Sequence, residues 1–249
     1  MKAIGPRPGT LAAMLMQSRD TGLLFAGLVL GLWLFTMRHA LFRHTLNPWT
    51  SPALFLAVNH LYTGLFITAH DAIHGTVSSV AAVNDGIGRF CLMAFAGFDY
   101  DFLRQEHWRH HSHAGLLHED PDFHAGDPSL PRWFLAFMLH YMRLSQVCRL
   151  LAIVGALLYL GAPLQNLFVF NALGGVSSAM LLFYYGTYLP HRPDPPALEK
   201  PGGFRSLDRQ KDSRLTSFLK SYNFGCHREH HANPRVPWWA LYDAYLNAD

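Results

Sequence analysis

Charged side chains are scarce in this sequence. Only 15% of its 249 residues are Asp, Glu, Lys or Arg, whereas 50% are hydrophobic; soluble domains carry about 25% charged residues. The formal net charge is +3, which gives no reason to expect a nucleic-acid partner. Few charges together with long apolar runs instead predict a protein that binds a lipid membrane, built as a single domain over residues 1–249.

Cysteine and several short motifs are also missing. The three cysteines are far apart and form no CxxC pair, which argues against a disulfide framework or a cysteine zinc site. There is no GxGxxG fingerprint for a bound flavin or NAD and no HExxH of a zinc protease. The ExxH pairs of soluble di-iron bundles are absent too. Any redox chemistry therefore needs electrons from another protein.

Four apolar runs predict an all-α integral membrane protein with about four transmembrane helices. They cover residues 23–37, 52–69, 150–162 and 167–189; the first is near the short limit of about 17 residues once its uncharged flank is added, and the third is the spanning half of a longer helical segment, residues 133–161. We expect Pro190 to end the last span and Arg149 to reach the headgroups from the third. A shorter run, residues 87–98, predicts an interfacial helix.

Lys and Arg concentrate in two places, residues 1–20 and the polar segment after the last span. Cytoplasmic segments carry the excess of these residues, so both termini are predicted to be cytoplasmic. Residues 1–20 lack the long apolar core of a signal peptide and are interpreted as a retained segment. The predicted location is a bacterial inner (cytoplasmic) membrane, crossed several times.

Histidine is the residue in excess, at 16 of 249. Three clusters stand out: His70-x-x-x-His74, His107-x-x-His110-His111 and His227-x-x-His230-His231, with His191 following the last span. Residues three and four apart share a helix face, so each box can offer imidazoles to one ion or divide them between two. The predicted topology brings all of them to the cytoplasmic face. The candidate metal ligands are His70, His74, His107, His110, His111, His191, His227, His230 and His231.

The number of converging imidazoles favours two ions over one zinc, which needs only three protein ligands and water; an imidazole-rich pair of irons fits best. The remaining histidines are interpreted as non-ligands. Asp71, Glu106, Asp120, Asp122 and Glu229 are suited to hold the second N–H of ligating imidazoles. Asn223 either holds a metal-bound water or caps the helix of the third box. Asp71 and Asn223 are the candidate catalytic residues beside the ligands.

The chain resembles the membrane fatty acid desaturase and hydroxylase superfamily, and within it the bacterial beta-carotene ketolases. The resemblance rests on FITAHDAIHG ending at residue 75, HWRHHSHAG at 107–115, EDPDFH at 119–124, YYGTYLPHR at 184–192 and NFGCHREHH at 223–231 followed by PWW. These motifs run in the family's order over residues from about 60 to 240.

The resemblance implies a desaturase-like fold with a cytoplasmic, histidine-rich di-iron cap. It implies two Fe ions, O2 as co-substrate, and a ferredoxin-type electron donor with its reductase. The implied activity is that of a beta-carotene 4-ketolase. Two successive hydroxylations at C4 of a beta-ionone ring, followed by loss of water, convert beta-carotene to echinenone and canthaxanthin, and zeaxanthin toward astaxanthin. The eight box histidines carry over as ligands, with His191 as the ninth.

Two other interpretations stay open. An acyl-lipid hydroxylase or desaturase, or a carotenoid hydroxylase, can use the same boxes, because the metal site sets the oxidant while the tunnel sets the substrate. A metal transporter or a haem protein is disfavoured: a transporter places its ligands near the bilayer midplane, and haem needs one or two axial histidines. The apolar segments 90–98 and 170–185 are candidates to line the tunnel, although the small residues of the latter also suit close helix packing.

Overall fold

The computed structural model describes residues 21–192 and 212–248 of the chain, and in these residues every regular element is a helix. The all-α prediction is confirmed for that part of the chain. The helices are α1 Thr21–Phe42, α2 Ser51–Ile73, α3 Ala81–Ala96, α4 Tyr100–His113, α5 Leu130–Tyr141, α6 Leu144–Tyr159, α7 Leu164–His191, α8 Arg214–Ser221, α9 His227–Ala232 and α10 Trp238–Leu246.

Three helices are long and apolar enough to cross a membrane: α1, α2 and α7. They contain the first, second and fourth predicted spans. The third predicted span falls in α6, which is too short by itself and forms a fourth candidate only together with α5. The two are separated because Met142 and Arg143 adopt extended backbone conformations. The chain therefore has three or four candidate membrane spans.

Two local predictions are corrected. Pro190 does not end the last span, because α7 continues to His191 and has π-helical turns at Leu167–Leu173 and Tyr184–Tyr188. A π-helical turn shifts the hydrogen-bond pattern, and turns of this kind are frequent at functional sites. The short helix predicted at 87–98 begins earlier, at Ala81. Arg149, expected to reach the headgroups, donates from Nε to Gly97 O at 2.7 Å and stays half-buried.

The described chain forms two compact units. One, here called the span unit, comprises residues 21–99 and 143–180; the other, the histidine unit, comprises residues 100–142, 181–192 and 212–248. The N-terminal segment and most of the basic segment after α7, on which the predicted orientation depends, lie outside the described residues.

Polar side chains join helices α2 and α7 within the span unit. Asn59 donates from Nδ2 to Ser177 Oγ at 2.7 Å, and Thr63 and Ser178 share a hydrogen bond of 2.9 Å between their hydroxyls. Hydrogen bonds of this type and small residues hold transmembrane helices together, since lipid supplies no hydrophobic driving force between them. The small residues of α7 thus serve close packing: a Cβ on Gly174 would lie 3.3 Å from Val58 Cγ1.

We expect Gly22→Ala to destabilise the protein, because a Cβ at Gly22 in α1 would lie 2.3 Å from the backbone oxygen of Val77. Overpacking of this kind costs about 1–3 kcal/mol. Gly27→Ala, in the same helix with nothing within 4 Å of its Cβ, is the matched control and gains up to about 1 kcal/mol from helix propensity. Thermal unfolding in detergent measures both. Equal melting temperatures for the two variants would contradict the close approach.

Candidate metal centre

The histidine unit carries the second box on α4, the third on α9 and His191 at the end of α7. Leu103, Glu106, His107 and His110 are the buried residues of α4 after its first, and their spacing is that of one helix face. His227 and His230 are likewise buried on α9, whereas Arg228 between them is exposed. Each box therefore buries two of its imidazoles, while His111 and His231 are half-buried.

Four histidines from three helices meet in what is here called the four-histidine cluster. His110, His191, His227 and His231 offer ring nitrogens that all lie within 4.8 Å of one another. His110 Nε2 is 3.0 Å from His231 Nε2 and 3.5 Å from His227 Nε2. The sequence prediction that His191 joins the boxes is consistent with this geometry.

The other box residues form a second group beside the first, the three-histidine cluster. His111 Nε2 lies 3.1 Å from His107 Nε2 and 3.0 Å from His230 Nε2. The rings of His111 and His231 stack with centroids 4.1 Å apart, which joins the two clusters. Each HxxHH box therefore divides its histidines between the two clusters. The middle histidine of the second box, His110, joins His227 and His231 of the third box. The middle histidine of the third box, His230, joins His107 and His111 of the second box.

The nitrogen separations suit metal coordination. Two imidazole nitrogens that bind one ion at about 2.1 Å and at right angles lie about 3.0 Å apart, and tetrahedral ligands about 3.4 Å apart. The closest pairs in both clusters fall at 3.0 to 3.5 Å. A purely imidazole donor set suits iron, zinc, copper or nickel. The described residues thus contain histidine groups whose geometry fits a metal ion.

Asp120 orients His110 through the hydrogen bond that ligating imidazoles typically make. His110 Nδ1 donates to Asp120 Oδ1 at 2.8 Å, which leaves Nε2 for the cluster. The carboxylate is held in turn by the backbone N–H groups of Gly115 at 2.7 Å and Asp122 at 2.9 Å. His191 is fixed similarly, since its Nδ1 donates to Thr187 O at 2.8 Å within the last π-helical turn of α7.

Burial and neighbouring charges act on these groups in opposite directions. Burial lowers the pKa of His110, but Asp122 and Asp120 outweigh it and hold that pKa above its usual value. Burial raises the pKa of Asp120, yet the hydrogen bond and charge of His110 and the two backbone donors bring it below the usual value. Burial and then the surrounding histidines lower the pKa of His227 well below its usual value, which keeps this imidazole neutral, as a ligand must be.

The other carboxylates named from the sequence differ in whether they lie near a cluster histidine. Asp122 Oδ2 lies 3.8 Å from His110 Nδ1, and Tyr141 donates its hydroxyl to Oδ1 of this aspartate. Glu106 contacts His140, with His140 Nε2 2.6 Å from its Oε2. His140 was interpreted as a non-ligand, and it holds this carboxylate instead. Glu229 is buried, and burial raises its pKa.

Asn223 does not cap the third-box helix. The N-cap of α9 is Cys226, and Asn223 donates from Nδ2 to Trp238 O at 3.1 Å. This residue has a φ of +62° and is 4% exposed, and its buried Oδ1 accepts no hydrogen bond from the described residues. Of the two roles considered from the sequence, the capping role is therefore wrong.

The first box lies in the span unit, at the end of α2. His70 and His74 have ring centroids 4.8 Å apart, as expected for residues four apart on one helix face. Both are buried, and Asp71 Oδ1 lies 3.7 Å from His70 Nδ1. Burial, followed by the nearby His70, lowers the pKa of His74 to about 2.

Sequence reasoning missed the groups that support the ligands from a distance. Trp133 Nε1 donates to Asp122 O at 2.9 Å, and its ring is almost fully buried against Phe183. Thr187 O, the acceptor for His191, is a backbone atom. Only the position of Thr187 four residues before His191 could have indicated this contact, because the side chain itself carries no signal.

Buried all-histidine clusters together with long apolar helices are typical of membrane proteins that bind metal ions. The chain belongs to the fatty acid desaturase family, whose model matches residues 46–151 and 141–248, and it lies on the branch that holds the beta-carotene ketolases.

Similar proteins come from algae and bacteria. A beta-carotene ketolase of Haematococcus lacustris is 47% identical over 193 residues, covering 76% of this chain and 60% of the relative. A zeaxanthin 4-ketolase of Chlamydomonas reinhardtii is 43% identical over 86% of this chain and 48% of the relative. A beta-carotene ketolase of Paracoccus sp. (strain N81106 / MBIC 01143) is 35% identical over 89% and 90%. The chain thus spans 60% or less of the length of the two algal relatives.

We expect Asp120→Asn to weaken metal binding by about 10- to 100-fold, because the amide neither carries the charge nor accepts as strongly from His110 Nδ1. Asp127→Asn is the matched control on the same loop, where the carboxylate instead pairs with exposed Arg132. Metal content of the two purified variants, measured by mass spectrometry after titration with a chelator, gives the comparison. Equal metal retention by both would show that Asp120 does not support the cluster.

Proposed function

We propose that the chain is a membrane oxygenase in which two iron ions bind to the histidine boxes and react with O2. The observation that carries the proposal is the division of both HxxHH boxes between two adjacent clusters, joined by the stacked rings of His111 and His231. A single structural zinc site would not need seven imidazoles from two boxes and α7. Bound iron would supply the O2-derived oxidant for C–H hydroxylation.

We assign nine ligands to the two ions. The four-histidine cluster and the three-histidine cluster would each bind one ion, and His70 and His74 are assigned as ligands from their spacing in the sequence and their burial. The full proposed set is His70, His74, His107, His110, His111, His191, His227, His230 and His231. The cofactors are thus two Fe ions, with O2 as co-substrate.

The residues beside the ligands position them and handle protons. Asp120 fixes the orientation of His110 through its 2.8 Å hydrogen bond, and we propose the same task for Asp71 at His70, where the separation is 3.7 Å. Asn223 is proposed to bind a water at the site through Oδ1, a buried acceptor with no partner among the described residues. Asp71 and Asn223 are thus the proposed catalytic residues beside the ligands.

The proposed substrate is beta-carotene, oxidised at C4 of its beta-ionone rings to echinenone and canthaxanthin, with zeaxanthin proceeding toward astaxanthin. The names of the relatives support this choice, since both algal and bacterial ones are called ketolases of beta-carotene or zeaxanthin. The apolar helices agree with a substrate that is dissolved in the bilayer. Each ring is hydroxylated twice at the same carbon, and the resulting diol loses water to give the ketone.

The remaining partners follow from the chemistry. Each hydroxylation consumes two electrons besides the substrate's own, and the sequence has no nucleotide-binding fingerprint. We therefore propose a ferredoxin-type donor with its reductase. The proposed location is a bacterial inner membrane, with the histidine boxes on the cytoplasmic face, in keeping with the basic segment that follows α7.

Expression in a bacterial host that accumulates beta-carotene tests the function. We expect products in which each ketone adds one oxygen and removes two hydrogens, detected by chromatography and mass spectrometry. His110→Ala removes a ligand and is expected to lower the ketone yield by roughly a hundredfold or more. His118→Ala, at an exposed loop histidine, is the matched control and should keep the yield.

Other outcomes separate the alternatives. Hydroxylated carotenoid without ketone would place the chain with the carotenoid hydroxylases. Unchanged carotene with iron-loaded protein in the membrane would overturn the carotenoid assignment and favour an acyl-lipid hydroxylase or desaturase. A full ketone yield from His110→Ala would remove this histidine from the proposed ligand set.

A further inference from the structure

Two buried polar groups in the span unit lack a partner and lie on one face of α6. Gln146 is 6% exposed, and its buried Oε1 accepts no hydrogen bond from the described residues. Arg149 is half-buried, and its Nη2 is buried with no acceptor among the described residues. Leaving such a group unsatisfied costs about 1–3 kcal/mol, so each atom is suited to bind something further.

Both side chains are held in place by the end of α3. Gln146 donates from Nε2 to Ala96 O at 2.9 Å, and Arg149 donates from Nε to Gly97 O at 2.7 Å. The amide orientation of Gln146 is therefore fixed, because only its NH2 group can donate to a carbonyl. Oε1 is thereby left as the free acceptor of the pair.

The two unpartnered atoms belong to neighbouring side chains on one face of α6. Gln146 and Arg149 are three residues apart, which places them side by side on α6, and they bond to consecutive carbonyls. Gly97 lies against this pair, since a Cβ there would be in ordinary van der Waals contact with Arg149 Cβ at 3.4 Å and with the backbone oxygen of Gln146 at 3.5 Å. The site thus presents one acceptor and one donor next to each other, at the end of the apolar segment 90–98 proposed from the sequence to line the substrate path.

The chemistry of the pair selects its ligand. A phosphate or a ketone can only accept hydrogen bonds. It would accept from Arg149, but Gln146 Oε1 is also an acceptor and would be left without a donor. A hydroxyl group donates to Gln146 and accepts from Arg149, so it satisfies both. No carboxylate among the described residues pairs with Arg149, and its donor is therefore not occupied by an internal anion.

We infer that Gln146 and Arg149 form a binding site for an alcohol, and that the hydroxyl on the ring of a hydroxylated carotenoid is its ligand. The choice of a carotenoid as the carrier of the hydroxyl rests on the proposed function. Gln146 and Arg149 are thus residues that set the preference between hydroxylated and plain rings, while the histidines carry out the oxidation.

Pigment binding by the full-length protein tests the inference. The purified protein is exposed to an equal mixture of zeaxanthin and beta-carotene, and the retained pigments are quantified after chromatography. We expect the wild type to retain zeaxanthin preferentially. Gln146→Met should lower the zeaxanthin to beta-carotene ratio about tenfold, as loss of one hydrogen bond of about 1.4 kcal/mol implies. Gln165→Met, the same change at an exposed position of α7, should leave the ratio unchanged.

Several results would overturn the site. A wild type without preference would show that the pair binds only water. An equal loss of both pigments in Gln146→Met would show that this residue only caps α3. Arg149→Gln is the second variant, in case Gln146→Met does not fold, and it must shift the ratio in the same direction.

The alcohol site and the proposed activity can be contradicted independently, because pigment binding tests the first and ketone formation tests the second. Preferential binding of zeaxanthin without any ketone formation supports the alcohol site and contradicts the proposed activity. Ketone formation from beta-carotene without a preference for zeaxanthin contradicts the alcohol site alone.

Discussion

The hydrogen bond between His110 and Asp120 is the interaction on which the centre depends. His110 is the second-box histidine in the four-histidine cluster, and its contacts reach His191, His227 and His231. Without the 2.8 Å bond to Asp120, the imidazole could rotate or change tautomer, and its Nε2 would leave the cluster. The loop that supplies Asp120 is itself fixed by backbone donors and by Trp133, so the aromatic packing of α5 supports the ligand geometry.

Burial imposes the second requirement, because desolvation disfavours the charged form of every buried group and nearby charges must offset it where a charge persists. Desolvation of His227 among other histidines favours the neutral form, and the paired charges of His110 and Asp120 offset the desolvation of each other. In the span unit the same requirement is met by hydrogen bonds between helices, as for Asn59 and Ser177. Gln146 and Arg149 are exceptions with unpartnered atoms, and this is why they indicate a ligand.

The division of the boxes has a simple helical origin. Residues four apart differ by about 40° around an α-helix, whereas the residue three ahead lies about 60° to the other side. In HxxHH the first and last histidines therefore remain together and the middle one diverges, as observed for His107 and His111 against His110. Helix geometry permits this division. The packing of α4 against α9 then brings the middle histidine of each box next to the first and last histidines of the other box.

The sequence by itself determined the all-helical membrane character, the nine candidate histidines and the carboxylates near them, because hydropathy and residue spacing are local properties. It also placed three of the spans within the observed helices. The break between α5 and α6, the continuation of α7 past Pro190 and the contact of Glu106 with His140 were decided by the tertiary structure. These features depend on contacts between residues distant in the chain, such as Trp133 with Phe183, and on backbone acceptors such as Thr187 O, whose availability no side-chain pattern encodes.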